Sequence, residues 1–210
     1  MAEAHIPGTL GVILAGGESR RMGGGDKGLH DLGGQPMLAH VRARFAPQVE
    51  RLILSANGPP ERFFELGLPV VPDRDANQLG PLAGVVAAMI WAEENARSIK
   101  AIATVSSDTP FLPPDLVRRL HKAAPYGPAI AVSNARRHPA IALWPMTMRG
   151  AVEAALHDGQ RSLNAFAAQN SAVEVAFAFS EAGGRSIDPF FNANTPTELE
   201  DARAILKRRD

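Results

Sequence analysis

Arg20, Arg21 and Lys27 lie in a glycine-rich stretch that follows an apolar run without a break, Gly11-Val-Ile-Leu-Ala-Gly-Gly-Glu-Ser-Arg-Arg-Met-Gly-Gly-Gly-Asp-Lys27. Glycines let a backbone turn sharply and bring its N–H groups against a bulky anion, because no Cβ stands in the way. Guanidinium and ammonium groups just beyond such a turn supply the charge that a polyphosphate neutralises. These residue types in this order point to a nucleoside triphosphate site. Gly17-Glu18-Ser19-Arg20-Arg21 lacks the second glycine of a nucleophile elbow, so Ser19 reads as a phosphate or backbone hydrogen-bond donor rather than a hydrolase nucleophile.

Two better-known phosphate motifs do not fit. A P-loop needs Gly-Lys-Ser/Thr, whereas Lys27 stands between Asp26 and Gly28. Gly23 to Gly28 spells G-x-G-x-x-G, but it begins about eight residues after the apolar run ends, too late to be the turn of a dinucleotide fold. A solvated surface loop is the plainer alternative, and a buried strand directly before it argues against that.

The remaining polar candidates stand at the ends of other apolar runs. Ser55 and Asn57 follow Leu52-Ile-Leu, Asp73 follows Val70-Val71-Pro72, and Asp108 follows Ile102-Ala-Thr-Val105 through two serines. In open parallel sheets ligands bind outside the carboxyl ends of the strands, so these groups share one crevice with the glycine loop. A carboxylate in that position, beside a phosphate loop, is a natural ligand for Mg²⁺, which keeps several waters and bridges phosphates. Helix capping is the structural alternative for Asp108, and a plain Pro-Asp turn is the alternative for Asp73. The six histidines show no metal-ligand spacing. His138, beside Arg136 and Arg137, either touches an anionic substrate or belongs to a solvated turn. Lys207-Arg208-Arg209 complements the dipole of the last helix and needs no further role.

Strand-like and helix-like segments alternate, as in an α/β protein with a mainly parallel sheet. Leu10, Val12, Ile13 and Leu14 read as a strand buried on both faces. Met37 to Phe45 is expected to be helical, Leu52 to Ser55 a strand, Glu61 to Leu66 a short helix and Val70-Val71 a brief strand. Leu82, Val85, Val86, Met89 and Ile90 recur at helical spacing after the irregular loop Arg74 to Pro81. Ile99 to Val105 is the fourth strand, and Pro113-Pro114 opens a helix through Leu120. Ala129 to Ser133 and Ala140 to Trp144 are expected as strands joined by a basic turn, Arg136-Arg137-His138-Pro139. Thr147 to Leu156 and Ser162 to Ala168 read as helices and Val173 to Phe179 as a strand. Thr195-Pro196-Thr197-Glu198 is a capping box that starts the last helix, with Leu199, Ala202, Ile205 and Leu206 facing inward.

The 210 residues suit one domain with a sizeable core, and 45% hydrophobic with 21% charged content describes an ordinary globular chain. With 22 basic and 22 acidic residues the net charge is zero, so no broad field favours nucleic acid or an anionic membrane. The absence of cysteine removes disulfides and thiolate chemistry and suits a reducing cytoplasm. The first residues lack a signal-peptide pattern, and no apolar run is long enough to span a membrane. A cytoplasmic location is expected.

Leu14-Ala-Gly-Gly17, then Ser19-x-Arg21-Met22-Gly23 and Lys27, resembles the signature of nucleotidyltransferases with a dinucleotide-binding-like fold. Gly80-Pro81-Leu82-Ala83-Gly84, Asp108-Thr109-Pro110, His138-Pro139 and Asn192-Ala193-Asn194-Thr195-Pro196 narrow the resemblance to molybdenum cofactor guanylyltransferases of the MobA type. It covers nearly the whole chain in the expected order. The resemblance implies a three-layer α/β/α sandwich around a mainly parallel, Rossmann-like sheet, within one domain spanning residues 1–210. Its N-terminal part would bind GTP and its C-terminal part molybdopterin.

The implied reaction transfers GMP from GTP to molybdenum-loaded molybdopterin and releases pyrophosphate, with Mg²⁺. By position, Leu14, Ala15, Gly16 and Gly17 would contact the guanine nucleotide, Arg21 and Lys27 the triphosphate, and Ser55 and Asp73 the base or ribose. Asp108 would hold Mg²⁺, and Asn192 and Asn194 would face the pterin. Arg21, Lys27 and Asp108 are the catalytic set. Molybdopterin-handling proteins or molybdoenzyme chaperones are the implied protein partners. Ser106-Ser107 stands where the family often has Pro-Cys, and Ser55 where it commonly has asparagine. A cytidylyltransferase for the same pterin, a sugar-phosphate nucleotidyltransferase and a non-catalytic nucleotide or molybdopterin carrier are the alternatives.

Overall fold

The apolar run at the start of the chain becomes the centre of β1 (Ile6–Leu14) in the computed structural model, which describes residues 5–15, 26–74, 80–182 and 185–207. Leu10, Val12 and Ile13 are fully buried, and their side chains alternate between two cores as the period of a strand requires. Gly11 is fixed by this crowding. A Cβ there would lie 2.8 Å from both Leu52 Cδ1 and Val49 Cγ2.

Four parallel strands are built outward from β1. It pairs with β2 (Val49–Ser55) on one side and β4 (Ala101–Ser106) on the other, and β3 (Val70–Val71) extends the sheet beyond β2. Their carboxyl ends are in register: Leu14 lies opposite both Ser55 and Ser106. Beyond β4 the sheet continues through β6 (Arg136–Pro145), β5 (Ala129–Ser133) and β7 (Val173–Ala176). Among the described residues the order is β3-β2-β1-β4-β6-β5-β7, and β6 alone runs against the rest. The expected mainly parallel sheet is therefore present. The reversal at β6 brings the start of that strand to the same edge as the end of β4.

Helices cover both faces. α1 (Met37–Phe45) and α3 (Leu116–Ala123) pack on one side through Leu38, Val41, Phe45, Leu116, Val117 and Leu120. α2 (Pro81–Asn95), α4 (Arg149–His157) and α5 (Leu163–Gln169) pack on the other. α2 is buried around more of its circumference than an amphipathic pattern requires, because Ala83, Gly84, Ala87 and Ala88 let neighbours approach closely. β8 (Ser180–Ala182) and β9 (Arg185–Ile187) form a separate antiparallel pair, and α6 (Pro196–Leu206) ends the described chain. A third cluster, including Leu32, Met37, Phe111, Leu199 and Ala202, packs α6 against the segment that follows Lys27.

Several local expectations are corrected. Pro113 and Pro114 precede α3 rather than open it, with Asp115 at the N-cap position. Pro60–Leu66 is a 3-10 stretch that ends at Gly67 in the left-handed region. Arg136 to Pro139 do not form a turn but begin β6; the reversal falls on Asn134 and Ala135, both with positive φ, at 46° and 58°. A two-residue turn of this kind matches the right-handed twist of the paired strands, so the hairpin closes earlier than the basic cluster suggested. β7 stops at Ala176 rather than running on to Phe179, and Phe177 turns into the core.

Candidate active site

The carboxyl rim of the sheet gathers the groups that the sequence had separated. After β1, Lys27 lies in a short 3-10 turn, Lys27–Leu29, and projects its ammonium toward two distant segments. Its Nζ donates to Asn194 Oδ1 at 2.7 Å and lies 3.8 Å from Asp108 Oδ2. Gly28 permits this position, because a Cβ there would come within 3.1 Å of Ser107 Cβ and 3.2 Å of Leu38 Cβ. Asp108 is 6% exposed, and its Oδ1 accepts from Ser106 Oγ at 2.5 Å. The backbone carbonyl of Asp108 accepts from Ala193 N–H at 3.3 Å, which ties the end of β4 to the asparagine segment. Asp108 does not cap α3, which begins eight residues later.

A second group lies at the ends of β2 and β3. Asn57 Nδ2 donates to Asp73 Oδ2 at 2.7 Å, and Asp73 N–H donates to Asn57 Oδ1 at 2.8 Å. This reciprocal pair fixes the carboxylate at the rim. Burial pushes the Asp73 carboxyl above its ordinary pKa, and the Asn57 hydrogen bond opposes that rise. Arg62 joins the two groups: it pairs with Asp26 Oδ2 at 2.7 Å and donates to the Asn57 carbonyl. Contacts therefore run from Asp73 through Asn57 and Arg62 to Asp26, whose chain neighbour Lys27 meets Asp108 and Asn194.

Leu14, Ala15 and Ser55 form the floor and are buried. Ala15 N–H donates to the Ser55 carbonyl at 2.8 Å, and Ser107 N–H donates to the Leu14 carbonyl at 3.1 Å. Ser55 packs against α2 at Gly84, where a Cβ would lie 2.5 Å from Ser55 Oγ. Asn192 Oδ1 is buried without a hydrogen-bond partner among the described residues. A pocket of about 310 Å³ opens on the α2 side of the same rim, lined by Gly80, Pro81, Pro139, Arg161, Ser162 and Asn164 among others. The expected contacts Gly16, Gly17 and Arg21 lie outside the described residues.

Sequence reasoning placed Asn57 at a strand end and noted Ser106 as a departure from the family but gave neither a task, and it passed over Arg62, Ser133 and Asp188. Asn57 was recoverable from the turn that contains it. Arg62, Ser133 and Asp188 carry no motif and become visible only through contacts made in three dimensions. His138 is 8% exposed and lies inside a strand, which overturns the solvated-turn expectation.

A mainly parallel sheet whose rim sets a lysine, directly after a glycine-rich sequence, against a buried carboxylate is what a nucleotidyltransferase requires. Residues 11–173 match the family described as the MobA-like NTP transferase domain. The chain belongs to that family. It is 47% identical over 201 residues to a molybdenum cofactor guanylyltransferase of Mesorhizobium japonicum, covering 94% of this chain and 95% of the relative. One from Cereibacter sphaeroides is 43% identical over 199 residues, covering 95% and 97%. In fold, the chain is similar to the crystal structure of molybdopterin-guanine dinucleotide biosynthesis protein A from Archaeoglobus fulgidus, with a TM-score of 0.71 at 20% identity, covering 95% and 98%.

Proposed function

We propose that this protein transfers GMP from GTP to the terminal phosphate of molybdenum-loaded molybdopterin, forming the guanine dinucleotide cofactor and releasing pyrophosphate. The observation that carries the reading is the meeting of Lys27 with Asp108 and Asn194, which joins a triphosphate loop, a carboxylate and the pterin-side segment at one point. Similarity along nearly the full length of relatives with that printed activity supports the choice of substrates.

The acceptor phosphate attacks the α-phosphorus of GTP in line. A bond forms from its oxygen to that phosphorus, and the bond to the β-phosphate bridging oxygen breaks. Such transfers need positioning and charge stabilisation more than covalent help from the protein. Lys27 and Arg21 offset the repulsion between two polyanions, Ser55 and Asp73 lie near base or ribose, and Leu14, Ala15, Gly16 and Gly17 contact the nucleotide. Asn192 and Asn194 face the pterin, and the buried Oδ1 of Asn192 has no hydrogen-bond partner among the described residues.

The chemistry of the rim fits Mg²⁺. Among the described residues no group of three or more acidic, histidine or cysteine side chains could hold an ion alone, and Mg²⁺ is usually held by one or two carboxylates together with substrate phosphates. Asp108 would hold it, and the ion would supply positive charge to offset the negative charge of the substrate phosphates. The N-terminal part of a single domain thus serves GTP and the C-terminal part the pterin. Among the described residues no helix is long and apolar enough to cross a membrane. We place the reaction in the cytoplasm, with molybdopterin-handling proteins as source and recipients.

Pyrophosphate release is measured with GTP or CTP, Mg²⁺, and molybdenum-loaded molybdopterin present or absent. Release only with GTP and the pterin together is expected. Equal release with CTP overturns the guanine assignment, and GTP binding without turnover under full substrate makes the protein a carrier.

A further inference from the structure

The buried Ser133 and His138 form, with the half-buried Asp188, a polar cluster that the reaction described above does not use. Ser133 is 1% exposed at the end of β5, and its hydroxyl stands between two partners, His138 Nε2 at 2.8 Å and Asp188 Oδ1 at 2.8 Å. A hydroxyl has one proton. Given to the Asp188 carboxylate, it leaves the oxygen to accept from His138, so Nε2 carries the hydrogen. The cluster is not a nucleophilic triad: the carboxylate contacts the serine rather than the imidazole, and the serine is sealed from solvent.

The position of Asp188 gives the cluster its significance. The same Oδ1 accepts from Phe190 N–H at 2.9 Å, and the Phe190 ring packs on the His138 ring with centroids 4.9 Å apart. Asn192 and Asn194 follow within four residues. At the far end of that segment, Ala193 N–H is held by the Asp108 carbonyl and Asn194 Oδ1 by Lys27. Residues 188 to 194 are thus a strap with two anchors, one at the nucleotide-side carboxylate and one in the β5–β6 hairpin. Both asparagines hang between the anchors or at the inner one.

We infer that His138 is a positioning residue for the acceptor: through Ser133 and Asp188 it fixes the strap that presents Asn192 and Asn194. This rests on the proposed reaction, in which those asparagines face molybdopterin. Triphosphate binding depends on the other anchor, so disturbing His138 acts on the acceptor and spares GTP.

The test compares wild type, His138→Leu, His138→Gln and Ser133→Ala in pyrophosphate release, varying GTP and the pterin separately, with melting temperatures alongside. Leucine keeps the apolar bulk and loses the N–H; glutamine keeps a donor at about the reach of Nε2. His138→Leu is expected to raise the KM for the pterin about tenfold, the scale of one buried hydrogen bond lost, with the KM for GTP within about twofold. Ser133→Ala should repeat that pattern, and His138→Gln should restore most of the acceptor affinity. If His138→Leu does not fold, Ser133→Ala against wild type decides. An unchanged pterin KM, or a fall in melting temperature with both substrates affected alike, overturns the inference and leaves the function standing. Absence of pterin-dependent release in wild type overturns the function and this inference with it.

Discussion

Lys27 divides its contacts between a neutral amide at 2.7 Å and a carboxylate at 3.8 Å, so its charge is held in place without being spent on a tight ion pair. That geometry suits a group that must stabilise charge arriving with a substrate. Lys27→Ala is expected to lower turnover by about 10²- to 10³-fold, the usual scale for one preorganised donor, as read in the pyrophosphate assay. Near wild-type turnover would remove the loop from the mechanism.

His138 allows a separate prediction at the same scale. Burial lowers its pKa below the ordinary 6.5, the Asp188 carboxylate pulls it back up, and Arg136 pushes it down. The unfolded chain therefore binds this proton more readily than the folded one. Stability falls as the pH drops through 6.5 toward the lower folded value, and is unaffected by this group above that window. His138→Gln removes the titration, so its unfolding free energy should lose less between neutral and mildly acidic pH than that of wild type. Parallel denaturant titrations check this, and identical slopes would contradict it.

Among the elements, the β5–β6 hairpin shows most plainly where local sequence signals fail. Ala129 to Ser133 and Ala140 to Trp144 read as strands, but four polar or cyclic residues in a row, Arg136 to Pro139, looked like the turn. The strand accommodates them because Arg137 pairs with Glu174 on β7 at 2.9 Å and His138 finds Ser133 and Asp188. Glu174 and Asp188 lie outside the hairpin and are not predictable from it. The real turn spends an alanine on a left-handed position, at φ 58°. Ala135→Gly should stabilise the protein by about 1 kcal/mol, since an L-residue there costs about 1–2 kcal/mol and glycine gives part of that back in chain entropy. For a chain of this length that is about 2–4 °C in melting temperature. A lower melting temperature would show that the turn tolerates Cβ for a reason of packing. The elements bearing the nucleotide side were more legible: the buried run of β1, the helical spacing in α2 and the capping box of α6 all follow local rules. In the last, Thr195 Oγ1 accepts from Glu198 N–H, and the Glu198 carboxylate reaches back to Asn194 N–H.

Over the whole molecule, the site is assembled from segments that are far apart in the chain and close only because the sheet places them so. Lys27 and Asn194 are 167 positions apart. α6 holds them together from behind, through Leu199 and Ala202 against Leu32 and Met37, and through Arg203 donating to the Asp31 carbonyl at 2.8 Å. The order of motifs along the chain was enough to name the family resemblance, but it could not show that Arg62 bridges the two halves of the rim or that β6 reverses. Those depend on tertiary contacts with no local signature.

A ligand that touches several such segments stabilises the native state alone, by RT ln(1 + [L]/Kd). GTP with Mg²⁺ at about one hundred times its Kd should then add about 2.7 kcal/mol, or about 5–11 °C at 2–4 °C per kcal/mol, in a thermal melt. Asp108→Ala should keep the fold, because Asp108 caps no helix, and should lose the part of the shift that depends on Mg²⁺. If the variant unfolds without ligand, Asp108 is a structural carboxylate; if it keeps the full Mg²⁺-dependent shift, the metal is held elsewhere on the rim.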